Sequence, residues 1–326
     1  IPGTKTEIPD GPGNYTWGVL PDDWDREDTS KMSQDRRNAK RAVDFLSEDH
    51  SAPFFLAFGC WRPHVHWTVP KRYYDSYPLE NIEIPVGFRG DDLEDIPKPG
   101  RWIATHRGFH DKMVTNALWK KALQGLFAST SYADEQIGRV LNALENSLYA
   151  DNTIVVFAGD NGWHTGQKNH WSKFVLWELG TRVPYSIRVP EMKPQVSNTP
   201  VSLLDLYPTL LSLTGLSRPE THELEGIDLT PVLNGSTSDR GSPVVLSYGW
   251  QNHAVRDDRF RYIRYRNGDE ELYDHSNDPH EWVNLAANQK YQSIKDRLSE
   301  YFPTLNEEEV PMVGSDINVF LPKAFE

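Results

Sequence analysis

Apolar positions along the chain fall into two kinds of pattern. Short continuous apolar runs at 53–58 and 153–158 predict buried strands, because four to eight consecutive apolar residues suit a strand covered on both faces. Apolar residues recur at helical spacing over 33–50 and 114–148, with a break expected near Ser129. Strand, helix and strand in this order predict a mostly parallel central sheet with crossover helices on its faces.

The rest of the first two thirds is less periodic. Residues 1–30 and 68–110 are rich in glycine and proline, which predicts an irregular start and a long excursion with a short helix near 71–77. A further strand is predicted at 183–189, and a helix at 201–214 that stops at glycine.

The last ninety residues follow another pattern. A Gly/Ser/Thr-rich linker at 234–242 precedes four short strand-like runs separated by turn residues, which predict an antiparallel sheet, and a helix near 291–301 follows. The runs are 244–248, 253–255, 260–265 and 271–273. We therefore predict an α/β chain with a large domain over 1–235 and a smaller α+β domain over 236–326.

Composition narrows the function. The chain has 326 residues and a net charge of −13 at pH 7, which disfavours non-specific binding to nucleic acid. No apolar run approaches the roughly 18–20 residues of a membrane-spanning helix, so we expect no membrane partner. An anion would have to be bound by local basic residues or by a metal ion. Cys60 is the single cysteine, so no intrachain disulfide can form.

The most informative segment follows the apolar run at 153–158. Asp160 and Asn161 come directly after it, where ligands bind at the carboxyl ends of strands in open α/β sheets. Carboxylate and amide oxygens suit calcium or magnesium and not zinc. Calcium takes about six to eight oxygens, so these two would be an incomplete set. The alternative is an ordinary turn, because Asp-Asn-Gly is also good turn chemistry.

Basic and imidazole side chains follow this pair, which favours an anionic substrate beside the metal ion. Lys173 is a candidate point charge for an anionic oxygen, although it could be an ordinary solvated lysine. Lys168, His164 and His170 complete the group. The two histidines lack the further ligands of a zinc site at a suitable spacing, so we reject zinc.

Two other histidines are candidates. His64 follows Pro63 after the first strand-like run, where it could protonate a leaving group; the alternative is an inert surface histidine. His253 opens a predicted strand of the smaller domain and could contact substrate or be structural. Cys60, flanked by aromatic residues, is expected to be a small buried hydrophobe and not a nucleophile.

Motifs in order along most of the chain resemble the iduronate-2-sulfatase-like branch of the type I sulfatases, in the alkaline phosphatase superfamily. The motifs are Phe54-Phe-Leu-Ala-Phe-Gly-Cys-Trp-Arg-Pro-His-Val-His-Trp67, Tyr77-Pro-Leu-Glu-Asn-Ile82, Ala128-Ser-Thr-Ser-Tyr-Ala-Asp134, Phe157-Ala-Gly-Asp-Asn-Gly-Trp163, Trp171-Ser-Lys173, Gly180-Thr-Arg-Val-Pro184, Leu204-Asp-Leu-Tyr-Pro-Thr-Leu210 and Glu271-Leu-Tyr-Asp274.

The resemblance implies calcium-dependent hydrolysis of sulfate esters, with a sulfated carbohydrate as the substrate and a formylglycine as the nucleophile. It implies that Asp160 and Asn161 are calcium ligands, that His64 is a candidate general acid, and that Lys173 binds the sulfate and the leaving oxygen. His66 stands where relatives often carry proline, and together with His164 and His253 it is a further candidate for substrate binding.

The family's formylglycine motif, Cys-x-Pro-Ser-Arg, is absent, and Cys60-Trp-Arg-Pro63 does not match it. The chain begins at Ile1 and not at methionine, so we expect it to be the C-terminal part of a longer sulfatase whose N-terminal portion supplies the nucleophile and the remaining ligands. The alternatives are a sulfated-glycan-binding relative without activity and a metal-dependent phosphatase or phosphodiesterase of the same superfamily. The expected substrate predicts a periplasmic or secreted protein.

Overall fold

A computed structural model describes residues 4–7, 16–25 and 32–304. The helices in it are α1 Gln34–Leu46, α2 Lys71–Asp75, α3 Lys98–Thr105, α4 Phe109–Thr115, α5 Trp119–Glu145, α6 Glu178–Thr181, α7 Leu206–Thr214, α8 Thr230–Leu233 and α9 Gln292–Ser299. The strands are β1 Thr4–Glu7, β2 Thr16–Leu20, β3 Trp67–Pro70, β4 Val155–Ala158, β5 His164–Thr165, β6 Trp171–Ser172, β7 Tyr185–Arg188, β8 Val244–Ser247, β9 His253–Arg256, β10 Phe260–Arg264 and β11 Glu270–Asp274.

The chain divides into two compact units. The first comprises residues 1–86 and 107–155, and the second comprises 87–106 and 156–326. The predicted domain boundary between 235 and 236 lies inside the second unit, and that division stays a prediction.

The long helix α5 organises the first unit. It packs against α1, α2 and a sheet in which β2 pairs antiparallel with β1 and parallel with β3. Gly125 brings the helix close to this sheet, because a Cβ there would lie 3.1 Å from the Cβ of Trp17 and 3.3 Å from that of Trp67. The helix α1 begins where Ser33 accepts a hydrogen bond from the backbone N–H of Arg36, which is a standard N-cap.

The second unit is built on the antiparallel sheet β8–β9–β10–β11. Alternate residues of a strand point to opposite faces, so each strand contributes to two cores. Ile263 and Ala254 belong to a buried cluster with Leu176 and Trp177, which come just before α6. The other face, with Tyr262, Val255 and Leu272, packs against Leu298 of α9 and Phe302. The predicted α/β class with a small C-terminal antiparallel sheet and helix is confirmed.

Four predictions of secondary structure were wrong. The excursion at 68–110 contains α3 in addition to the short helix predicted near 71–77. Residues 53–58 form no strand, and Phe55 is 84% exposed, because a strand needs a partner ladder and no described segment supplies one. The apolar stretch 114–148 is two helices, α4 and an uninterrupted α5 in which Ser129 is fully buried. The start of the chain contains β1 and β2 among the residues described; 1–3, 8–15 and 26–31 lie outside them.

The strand predicted at 153–158 exists as β4, which pairs with β7, but it is not buried: Phe157 is 42% exposed. No helix within 4–7, 16–25 and 32–304 combines the length and the apolar character that crossing a membrane requires.

Candidate functional site

Asp160 and Asn161 follow the end of β4, as the sequence predicts. Asp160 is exposed, and no hydrogen bond or ion pair from the described residues reaches its carboxylate. Asn161 is half-buried and its side-chain amide donates to the carbonyl oxygen of Gly162 at 2.8 Å. Two hard oxygen donors are therefore adjacent, and one of them has both oxygens available.

Glycine at position 162 is required by its surroundings. A Cβ there would lie 2.1 Å from the carbonyl oxygen of Leu179 and 2.6 Å from that of Arg182, distances that no real Cβ adopts. The backbone N–H of Gly162 donates to the carbonyl oxygen of Gly180 at 3.1 Å. The backbone of α6 thus packs directly on the residue after Asn161. The turn and the ligand interpretations of this tripeptide are compatible, because the same turn presents both oxygen donors.

Lys173 is brought to Asn161 by a hairpin. The strands β5 and β6 pair antiparallel, with His164 opposite Ser172, so the residues just before β5 and just after β6 become neighbours. The Nζ of Lys173 donates to the Oδ1 of Asn161 at 3.0 Å. Lys173 is half-buried, and this is the one hydrogen bond that its ammonium makes to the described residues. Two of its three N–H groups therefore stay available for an anionic oxygen.

His170 holds the backbone of Lys173. Its Nε2 lies 3.0 Å from the carbonyl oxygen of Lys173, and its Nδ1 lies 3.0 Å from the carbonyl oxygen of Ala104 in α3. The ring is buried and bridges the end of the hairpin to that helix. We therefore assign His170 to positioning and not to zinc binding.

Lys168 does not belong to a substrate-binding surface. It is 2% exposed, and its Nζ donates to the Oδ1 of Asp92 at 2.9 Å and also to the carbonyl oxygen of Glu281. Burial raises the pKa of Asp92, although the charge of Lys168 opposes this effect. The lysine anchors the hairpin loop to the rest of the second unit, so its positive charge is already satisfied.

His164 is also enclosed. Its Nδ1 lies 3.2 Å from the carbonyl oxygen of Gln167, and the buried Nε2 has no hydrogen-bond partner among the described residues. Burial, with the nearby His170 as a second cause, holds the pKa of His164 well below its usual range. The ring is therefore neutral at physiological pH and contributes no cation to the site.

In the first unit, the geometry around His64 selects one tautomer. Its Nδ1 lies 2.6 Å from the carbonyl oxygen of Val65, which can only accept, so Nδ1 carries the hydrogen. The ring packs on Trp61 with centroids 4.6 Å apart. In neutral His64 the other nitrogen, Nε2, has a free lone pair, and in protonated His64 it can give up a proton. His66, two residues on, is exposed.

An internal carboxylate supports this loop. The Oδ1 of Asp35, in the first turn of α1, accepts from the backbone N–H of Trp61 at 2.6 Å, and its Oδ2 pairs with the guanidinium of Arg62 at 2.6 Å. Asp35 is fully buried. Burial, followed by the charge of Asp35, raises the pKa of the Cys60 thiol to about 12, with Arg62 opposing. Cys60 is therefore a neutral thiol, as expected, but it is half-buried and not fully buried as predicted.

His253 lies in β9 of the second unit and is 7% exposed. Its Nδ1 lies 2.8 Å from the Oγ of Ser247 on the neighbouring strand, and its ring packs 6.0 Å from that of Phe302. These contacts suit a structural role better than a contact with substrate, which for His253 stays a prediction.

A partly buried cluster of two glutamates and a histidine in the second unit has the residue types of a metal site. Ligand atoms of Glu178, His275 and Glu281 lie within 4.8 Å of one another. The guanidinium of Arg261 already pairs with both glutamates, and Arg256 lies 3.4 Å from Glu178. The cluster is therefore neutralised by arginine, and a cation would have to displace these ion pairs.

Three residues that support the candidate side chains are not among those that the sequence predicts: Gly162 and Arg261 in the second unit and Asp35 in the first. Their signals were available but weak. Gly162 fits turn chemistry, Asp35 stands in the first turn of a predicted helix, and Arg261 is a charged residue between two buried strand positions, Phe260 and Tyr262.

Comparison with known proteins adds to this geometry. The sulfatase family model matches residues 6–216, and the model of the C-terminal region of N-sulphoglucosamine sulphohydrolase matches residues 166–308. Together they cover both units.

Curated relatives include a sulfatase of Formosa agariphila, 36% identical over 91% of this chain and 57% of the relative. The delta 4,5-hexuronate-2-O-sulfatase of Bacteroides thetaiotaomicron is 31% identical over 78% of this chain and 56% of its own length. Human iduronate 2-sulfatase is 28% identical over 73% of this chain and 46% of its own length. The chain thus spans about half the length of the curated relatives it matches.

Solved structures of sulfatases and of related hydrolases superimpose on this chain. A 2-O GAG sulfatase superimposes with a TM-score of 0.60 at 26% identity, over 81% of this chain and 55% of that one. The phosphonate monoester hydrolase of Agrobacterium radiobacter gives a TM-score of 0.71 at 21% identity, over 92% and 63% of the two chains, which shows a shared fold. The predicted sulfatase-like fold is confirmed.

Proposed function

Because this chain belongs to the sulfatase family, we propose that it is part of an enzyme that hydrolyses the sulfate ester of a sulfated saccharide. The observation that supports this most directly is the contact of Lys173 with Asn161, beside the exposed carboxylate of Asp160. A cation and two hard oxygen donors on one hairpin suit an anionic group held against a metal ion.

Asp160 and Asn161 fit calcium by the chemistry of their donors. Both offer oxygen, and no group from the described residues competes for the Asp160 carboxylate. Magnesium would use the same donors and is the less favoured ion. A bound calcium ion would supply positive charge that stabilises the anionic oxygens of the sulfate group. Further ligands must come from other residues, from substrate or from water, since calcium takes about six to eight oxygens.

Lys173 would hold a sulfate oxygen with the N–H groups that it does not donate to Asn161. An ammonium is a compact point charge, so it can follow charge that moves from the sulfate to the leaving oxygen as the S–O bond breaks. The half-buried position of Lys173 strengthens this interaction, because fewer water molecules screen it.

His64 would protonate the leaving oxygen from Nε2. The hydrogen bond from its Nδ1 to the carbonyl oxygen of Val65 leaves Nε2 as the nitrogen that exchanges a proton. The alcohol then leaves neutral, and water that enters in the complete reaction supplies the oxygen of the released sulfate. The nucleophile that we propose, a formylglycine, lies outside these 326 residues.

The test is sulfate release from a panel of sulfated mono- and oligosaccharides by the full-length protein, with and without a calcium chelator. A phosphate monoester and a phosphonate monoester complete the panel. Sulfate release that the chelator abolishes and calcium restores is the expected result. Hydrolysis of only the phosphorus esters would overturn the proposal in favour of a phosphatase, and binding without release would indicate a glycan-binding relative.

We also propose a cellular location for the enzyme. A sulfated polysaccharide is met outside the cytoplasm, so we place the enzyme in the periplasm or among secreted proteins. Cell fractionation with an antibody against the chain tests this, and a purely cytoplasmic signal would contradict it.

A further inference from the structure

One buried arginine in the C-terminal sheet forms hydrogen bonds with the segment that packs against the residue after Asn161. Arg261 lies in β10 and is 2% exposed. Its face of the strand is the one that also carries Ile263, which packs towards Leu176 and Trp177. The guanidinium therefore points at the residues that lead into α6.

The guanidinium reaches that segment at three points. Its Nη1 donates to the carbonyl oxygen of Leu176 at 2.8 Å, and its Nη2 donates to the carboxylate of Glu178 and to the Oγ1 of Thr181 at 3.2 Å. Its Nε is ion-paired with the Oε1 of Glu281 at 2.8 Å. A planar fork with five N–H groups can make these contacts together, which a lysine cannot.

Glu281 forms a further hydrogen bond with the same segment. Its Oε2 accepts the backbone N–H of Glu178, the first residue of α6, at 2.9 Å. Glu281 is 3% exposed, and its other oxygen faces Arg261 and His275. The start of α6 is thus fixed by a carboxylate that Arg261 itself holds in place.

From α6 the connection to Asn161 is through backbone. The carbonyl oxygen of Gly180 accepts from the N–H of Gly162, and the carbonyl oxygen of Pro184 accepts from the N–H of Gly159 at 3.0 Å. Asp160 and Asn161 lie between these two hydrogen bonds. A shift of residues 180–184 would therefore move both oxygen donors relative to Lys173.

We infer that Arg261 is a positioning residue: it fixes segment 176–184, and through it the Asp160–Asn161 turn, so that the C-terminal sheet sets the geometry of the candidate metal and sulfate site. This inference rests on the proposed function for the site itself. It assigns to the smaller sheet a part in the reaction that does not require contact with substrate.

The first test uses Arg261→Lys in the full-length protein, which keeps the charge but loses the fork. Arg259→Met is the matched control, because Arg259 is in an ion pair with Asp274 at 2.6 Å near the same strand and makes no hydrogen bond or ion pair with residues 176–184. Hydrogen exchange of peptides covering 159–163 is measured without metal, and calcium affinity and steady-state kinetics follow on folded protein.

We expect Arg261→Lys to speed exchange of residues 159–163 about tenfold, to weaken calcium binding about tenfold, and to lower kcat by about 10- to 100-fold with KM changed less than threefold. The control should leave all of these near the wild-type values, even if its melting temperature falls equally. A merely structural arginine would lower the melting temperature alone.

Thr181→Val serves as a second variant in case Arg261→Lys does not fold. It removes one of the three contacts and keeps the side-chain volume, so smaller changes in the same direction are expected. Exchange and calcium affinity equal to the wild type in either folded variant would overturn the inference. Wild-type protein that neither binds calcium nor releases sulfate would instead overturn the proposed function.

Discussion

The ammonium nitrogen of Lys173 lies 3.0 Å from the amide oxygen of Asn161, twelve positions earlier in the chain. The hairpin β5–β6 closes this distance, and His170 holds its second strand in place. A cation and a metal-type oxygen donor are therefore one structural unit, and substitutions in this unit should separate its two roles.

Substitution of Lys173 by alanine should reduce kcat for a sulfate ester by about 10²–10³, which is the usual effect of removing one preorganised donor to a developing anion. The fold should persist, because the side chain is half-buried and makes one hydrogen bond to the described residues. Kinetics and circular dichroism on the full-length protein measure both effects. Lys193→Ala, at an exposed position, is the control; near-normal turnover by Lys173→Ala would refute the role.

Asp160→Asn should weaken calcium binding about tenfold or more, because ligand charge sets the affinity of an oxygen site. Isothermal titration calorimetry on chelator-treated protein measures the affinity. Asp151→Asn removes the same charge from an exposed turn before β4 and should bind calcium as the wild type does. Equal affinities in the two variants would remove Asp160 from the ligand set.

Gly162→Ala should lower the free energy of unfolding by about 1–3 kcal/mol or more, because its Cβ would meet the carbonyl oxygen of Leu179 at 2.1 Å and backbone would have to move. Gly138→Ala in α5 is the control: a Cβ there meets nothing within 4 Å, so it should stabilise by about 0.5–1 kcal/mol. Urea unfolding gives both values. A neutral Gly162→Ala would show that segment 176–184 does not pack as described.

Stability should depend on the ionisation of Glu178 in acid. Burial alone would raise the pKa of Glu178, but Arg261 and then Arg256 lower it to about 2. A lowered pKa means that its stabilising contribution is complete above about pH 4.5, the usual value, and disappears as the pH falls towards 2.

Glu178→Gln should therefore be less stable than the wild type near neutral pH, and the difference should shrink between pH 4.5 and pH 2. Urea unfolding at several pH values measures it. Glu300→Gln, at an exposed site, should show a small difference across this range. A gap between Glu178→Gln and wild type that is constant with pH would contradict the assignment.

Cys60→Ala should keep kcat within about twofold of the wild type. Burial and the charge of Asp35 raise the pKa of this thiol to about 12, so almost no thiolate exists at pH 7–8. Alkylation of Cys60 by iodoacetamide, measured by mass spectrometry, should be far slower in the folded protein than after denaturation. Fast alkylation of the native protein, or loss of turnover in Cys60→Ala, would contradict this and make Cys60 a candidate nucleophile.

Local patterns were sufficient for most elements. The cap at Ser33, the stop of α7 at Gly215 and the four strands of the C-terminal sheet were predictable, because caps, glycine in the left-handed region and period-two alternation act within a few residues. The strand predicted at 53–58 was wrong, because the composition of this run does not determine which strand, if any, pairs with it.

The chemistry of the site divides in the same way. Asp160, Asn161 and Lys173 could be chosen from their order in the sequence, since the type of donor and the end of a strand are local properties. The burial of Lys168 and His164 could not be predicted. The sequence of a polar loop is the same whether or not Asp92 pairs with its lysine and Trp177 packs on its histidine.

The amino-acid order alone therefore sets which residue types can bind a cation or an anion, and where a capping residue or a glycine can begin or end a helix. Folding decides which of those residues meet. Arg261 stands 83 positions from Glu178, and the ion pair between them forms only when β10 packs on the segment leading into α6. Long-range contacts of this kind depend on the exclusion of water from a shared core, which no window of the sequence records.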